Sequence, residues 1–102
     1  MFDDTTNPAK PTITHDPNAT LDYTWDFSGL IVEGDALDTV TFHPTNPGVT
    51  ATPGAVQNNT AVAWVSITDS TLVNQTVGVT GRYTTTGGRT DDRTLWFKIK
   101  ER

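Results

Sequence analysis

The stretch Thr94–Lys100 constrains the fold more than any other, because its side chains alternate without a break. Leu95, Phe97 and Ile99 point one way; Trp96, Lys98 and Lys100 point the other. Successive side chains of a strand go to opposite faces, so this stretch reads as a half-buried strand with a basic outer face. A second such strand runs from Ala19 to Phe27. Leu21, Tyr23, Trp25 and Phe27 share one face, and Thr20, Asp22, Thr24 and Asp26 share the other. No helical period occurs anywhere in the 102 residues. About a fifth of them are threonine, a β-branched residue suited to pleated, half-buried surfaces.

The rest of the chain fits the same pattern. Leu30–Val32 is a short apolar run before the turn signal Glu33-Gly34-Asp35. Ala36–His43 reads as a strand with Val40 and Phe42 inward, stopped by Pro44 and Asn46-Pro47-Gly48. Val49–Thr52 reads as a short strand ended by a turn at Pro53-Gly54. Ala61–Thr68 is the most apolar stretch. Either Val62, Trp64 and Ser66 face inward, or Ala63, Val65 and Ile67 do. Thr71–Asn74 reads as a minor strand. Val77, Val79 and Tyr83 lead into a closing hairpin whose turn holds Gly87-Gly88.

About seven short antiparallel strands follow, with turn signals every eight to twelve residues or so. This predicts an all-β fold, an immunoglobulin-like β-sandwich over residues 19–102, with a jelly roll or small barrel as the alternatives. Residues 1–18 carry Pro8, Pro11 and Pro17 among Thr, Asn and Asp. Proline lacks an N–H and restricts the residue before it, so an extended N-terminal arm is expected there.

Charge and composition exclude several function classes. The net charge of −5 argues against nucleic acid as the main partner. Its distribution is uneven. Residues 1–81 hold one base, Lys10, against nine acids, and residues 82–102 hold six bases against three acids. Lysines that guard a strand edge would account for this, and so would head-to-tail complementarity between subunits or with a neighbour. There is no cysteine, and the N-terminus has no basic start followed by an apolar run. Folding in a reducing cytoplasm, or stabilisation by assembly, is therefore expected, without a secretion signal. No apolar run is long enough to span a membrane.

No constellation supports catalysis. His15 and His43 lack the further ligands that zinc requires, and a solvated or capping role is expected for them. Asp91-Asp92 lie between Arg89 and Arg93, and neutralising those arginines is their expected role rather than calcium binding. Gly87-Gly88-Arg89 lacks the spacing of a phosphate loop. Asp22 and Asp26 stand about 13 Å apart on one strand face, too far for a paired acid and base. The expectation is a protein that is not an enzyme and takes no cofactor. Most aromatics are assigned to the core. Trp96 is the exception, because it shares a face with Lys98 and Lys100 and would anchor an interface. Phe2 on the arm is a second candidate anchor.

Two stretches together resemble a family. One is Asp16-Pro17-Asn18-Ala19-Thr20-Leu21-Asp22-Tyr23, followed by Asp26. The other is Thr84-Thr85-Thr86-Gly87-Gly88-Arg89-Thr90-Asp91-Asp92-Arg93-Thr94, which runs into the last strand. The combination resembles small tailed-bacteriophage virion proteins of the fiber-tail adaptor kind. The chain departs from that pattern at Asp26-Phe27 and at Ser66-Ile67-Thr68-Asp69, and residues 31–60 carry no match. The resemblance implies a structural virion protein, made in the host bacterial cytoplasm, that joins tail or neck components to fibers by non-covalent docking. It implies other virion proteins as partners and several copies, or a homo-oligomer, in the particle. With that reading, Phe2, Pro8, Pro11, Arg89, Arg93, Trp96, Lys98 and Lys100 become the expected partner-binding residues. A capsid decoration or cement protein would use the same features, and a carbohydrate-binding adhesin module, with Trp64 or Trp96 stacking on sugar, is a third reading.

Overall fold

A computed structural model describes residues 12–101. Seven strands make up the fold: β1 (Thr12–His15), β2 (Thr20–Asp26), β3 (Leu37–Pro44), β4 (Val49–Gln57), β5 (Thr60–Ile67), β6 (Thr76–Thr85) and β7 (Thr90–Ile99). They form two sheets. One has four strands in the order β1-β7-β6-β3, and the other has three in the order β2-β5-β4. The sheets pack face to face as a sandwich, and aromatic residues join them. Trp25 of β2 meets Phe42 of β3 edge-on at 4.8 Å between centroids, and Phe27 meets Tyr83 of β6 at 4.7 Å. The Trp25 indole Nε1–H donates to the Val79 carbonyl of the opposite sheet at 3.2 Å.

The inner faces follow the alternation. In β7, Phe97 and Ile99 are buried and Leu95 packs against the core; in β6, Val77, Val79 and Tyr83 are buried. Ala61, Ala63 and Val65 form the inner face of β5, which leaves Val62, Trp64 and Ser66 outside. The cross-strand partners explain this choice. Trp25 stands opposite Ala61 and Tyr23 opposite Ala63, so the bulky residues of β2 fill space that small residues of β5 leave open.

Three features depart from the expectations. The strands are not all antiparallel, because β1 runs parallel to β7, with Thr12 against Trp96 and His15 against Ile99. This places the end of the expected arm inside the four-stranded sheet. At the far end of the pairing the Lys100 N–H donates to the His15 carbonyl. The rest of the expected arm, with Phe2, Pro8 and Pro11, lies outside the described residues. Second, Pro53-Gly54 is not a turn. β4 continues to Gln57 through a bulge between Pro53 and Val56, which an edge strand tolerates because half its N–H groups face solvent. Third, Thr71–Asn74 is not a strand, since Ser70–Leu72 forms one turn of 3-10 helix capped by the Asp69 carboxylate. The short apolar run Leu30–Val32 is only partly covered, with Leu30 43% and Val32 48% exposed.

Candidate docking surface

The outer face of the four-stranded sheet is mostly threonine. Across β6 and β7 the outward pairs are Thr84–Thr90, Arg82–Asp92, Thr80–Thr94, Gly78–Trp96 and Thr76–Lys98. The Thr80 and Thr94 hydroxyls bond at 2.7 Å, and Arg82 meets Asp92 at 3.3 Å. Trp96 does point outward, but it is half-buried. Its ring lies on Gly78, where an added Cβ would come within 2.8 Å of Cζ3. Only a glycine lets the indole lie this close to the β6 backbone. Lys98 is also half-buried, and its Nζ donates to the Asn74 carbonyl at 2.7 Å. Lys100 follows the strand and is exposed. Among the described residues, no carboxylate forms an ion pair with Arg93, Lys98 or Lys100.

The turn between β6 and β7 is held from outside the hairpin. The Asp35 carboxylate accepts from the Gly87 N–H at 2.8 Å, the Thr86 hydroxyl at 3.0 Å, the Ala36 N–H at 2.9 Å and Arg89 at 2.9 Å. Gly88 takes a φ of +91°, and Gly87 lets the carboxylate approach to 3.1 Å from where a Cβ would stand. This corrects the expected pairing. Arg89 is neutralised by Asp35, 54 positions away, and Asp92 serves Arg82 rather than Arg89 or Arg93. Arg93 instead lies near enough to Asp26 to favour that carboxylate's charged form.

Several carboxylates share one chemistry. The Thr85 hydroxyl is the largest influence on Asp35. With the Ala36 and Gly87 N–H groups and Arg89, it holds that carboxyl well below the usual range, against an opposing effect of burial. Asp26 is lowered by the Ser28 hydroxyl and N–H, and Asp69 by those of Thr71. Each therefore binds its proton more weakly folded than unfolded. They stabilise the fold above about pH 4, and that contribution is lost as pH falls below it. Tyr83 is raised by burial, then by Asp91 and Asp92, so it favours the fold below about pH 10 and ceases to do so above. Urea midpoints are expected to fall between pH 6 and pH 3. The Asp35→Asn protein should be less stable at pH 6 and show a shallower fall toward pH 3.

The histidines differ in role. His15 is wholly buried, which corrects the expected solvated or capping role. Its Nε2–H donates to the Ala19 carbonyl at 3.0 Å, which leaves Nδ1 of the neutral ring to accept from the Tyr23 hydroxyl at 2.7 Å. His43 is exposed and bonds the Thr41 hydroxyl through Nε2 at 2.8 Å. Among the described residues, no group of three His, Asp or Glu is placed to hold a metal ion.

The sequence left open which way Trp64 faces, and the structure turns it outward. It is 46% exposed on the outer face of the three-stranded sheet, between Asp22 of β2 and Thr52 of β4. The signal was present in the small Ala61 and Ala63, which fit beneath Trp25 and Tyr23 and so turn Trp64 outward. The two candidate faces thus lie on opposite sides of the sandwich: a threonine-rich face ending in lysines, and a face holding Trp64 and Asp22.

Comparison with known proteins gives one family. The family model described as podophage GP4 fiber-tail adaptor protein gp77 matches residues 15–98, from the end of β1 to the penultimate residue of β7. No curated protein matches the chain. With nearly every strand of the sandwich inside the match, the chain belongs to the podophage fiber-tail adaptor family.

Proposed function

We propose that this chain joins tail or neck components of a phage particle to fibers, and that it acts by non-covalent docking alone. The family match across the sandwich carries this reading. The physical features agree with it. Two sheets locked by buried aromatics make a stiff spacer. Lys98 and Lys100 form no ion pair among the described residues, and they stand ready for an acidic partner surface beside the half-buried Trp96, whereas Arg93 lies on the other side of β7, opposite Gly81 and toward Asp26. Arg89 serves the surface indirectly, by fixing the turn through Asp35. The segment that holds Phe2, Pro8 and Pro11 enters the fold next to Trp96, since Thr12 is that residue's cross-strand partner. The proposed role of that segment, which lies outside the described residues, is to dock on a neighbouring subunit.

Reversing the two lysine charges tests the surface without disturbing the core. In the Lys98→Glu, Lys100→Glu protein, melting should stay within a few degrees of wild type, while incorporation into particles should fall at least about tenfold. Normal incorporation would remove this face from the docking reading.

A further inference from the structure

We propose that the acidic surface met by the basic end of β7 is the outer face of the three-stranded sheet of a second copy, with Trp64 and Asp22 receiving Lys100. This rests on the docking face described above and names its partner. The argument starts from how charge is divided between the faces. β2, β4 and β5 contain no lysine or arginine, and their only charged residues are Asp22 and Asp26. The Asp26 carboxylate is occupied by the Ser28 hydroxyl and N–H at 2.7 and 2.9 Å. Asp22 is exposed and has no side-chain partner among the described residues. The described bases lie on the other sheet, in its hairpin turn or just past its end, and Arg82 and Arg89 are already paired within the chain.

Trp64 turns this division into a recognition site. Asp22 and Trp64 are direct cross-strand partners, so the carboxylate and the exposed indole stand side by side. An aromatic face beside a carboxylate suits a lysine. The ammonium is drawn to both the ring and the charge, and the aliphatic stem covers the indole. Thr52 on the other flank adds a hydroxyl without adding charge. On the donor side, Lys98 is held by the Asn74 carbonyl, whereas Lys100 is exposed and follows the strand end. The sandwich measures 43 × 34 × 20 Å, so its two broad faces are back to back across the thin dimension. Contact between unlike faces is heterologous, so copies add in series until rotation closes the set.

Sedimentation velocity of the purified full-length chain tests this. At low salt the wild type should associate as concentration rises toward about 1 mM, and salt near 0.5 M should weaken association at least roughly tenfold. Asp22→Lys and Lys100→Glu should each be monomeric, with melting curves like wild type. Each variant keeps the face the other has lost, so an equimolar mixture should recover a heterodimer. A wild type that stays monomeric at every concentration overturns the proposal. So does association that both variants retain, or a mixture that stays monomeric when the wild type associates. If the wild type is monomeric but the lysine-reversed chain is lost from particles, the basic face docks on a different protein and the docking reading stands.

Discussion

Replacing Trp25 by alanine is expected to leave a domain that is largely unfolded at 37 °C. The side chain has no solvent exposure and sits where the two sheets meet. It packs edge-on against Phe42, lies within 6.4 Å of Phe97, and bonds the Val79 carbonyl across the sandwich. Truncating a buried tryptophan costs about 3–5 kcal/mol. The space cannot close easily, because the cross-strand neighbour is Ala61 and has no side chain to move in. Domains of this size have about 5–15 kcal/mol to lose, so the change removes much of the total. Differential scanning calorimetry should show Tm lowered by something on the order of 15–30 °C. Trp25→Phe keeps most of the volume and loses the hydrogen bond, and it should recover more than half of that loss.

His15→Ala should have the next largest effect, about 3 kcal/mol. The imidazole is the main tie between β1 and the start of β2. It bonds the Ala19 backbone and the Tyr23 hydroxyl, and it packs against Phe97 at 6.2 Å. Its removal opens a cavity and takes one hydrogen-bond partner from each of those groups. Tyr23→Phe should cost less, about 1–2 kcal/mol, because the ring still packs on Phe97 at 4.8 Å. In the double variant, the losses should sum to less than the two single effects, since both remove the same bond. Urea denaturation of the three proteins measures each term. Full additivity would mean that the His15–Tyr23 bond contributes nothing.

These two residues also mark how far the sequence could be read. Trp25 was legible, because strict alternation through Leu21, Tyr23, Trp25 and Phe27 places it inward whatever the strand pairs with. His15 was not, because its partner Tyr23 lies across a chain crossing from one sheet to the other, and polar neighbours made a solvated ring the natural reading. The face of β5 was undecided for a similar reason. A run such as Ala61–Thr68 has apolar residues on both sides, and only the register against Tyr23 and Trp25 decides which side is covered.

The candidate surface shows the same limit. Alternation alone put Trp96, Lys98 and Lys100 on the outside, and that placement holds. It did not foresee that Gly78 lies opposite Trp96 and lets the ring settle onto the sheet. Nor did it foresee that Arg89 would be taken by Asp35, because local sequence pointed to the adjacent Asp91-Asp92. Periodicity reports the direction of a side chain. Its partner depends on register between distant segments, and register appears only in the assembled fold.

The most direct test of the adaptor reading is where the chain sits in the particle. Gold labelling of an epitope-tagged chain, or a map of the whole virion, should place it between the tail and the base of the fibers. Signal spread evenly over the head would contradict the account and identify a decoration protein instead.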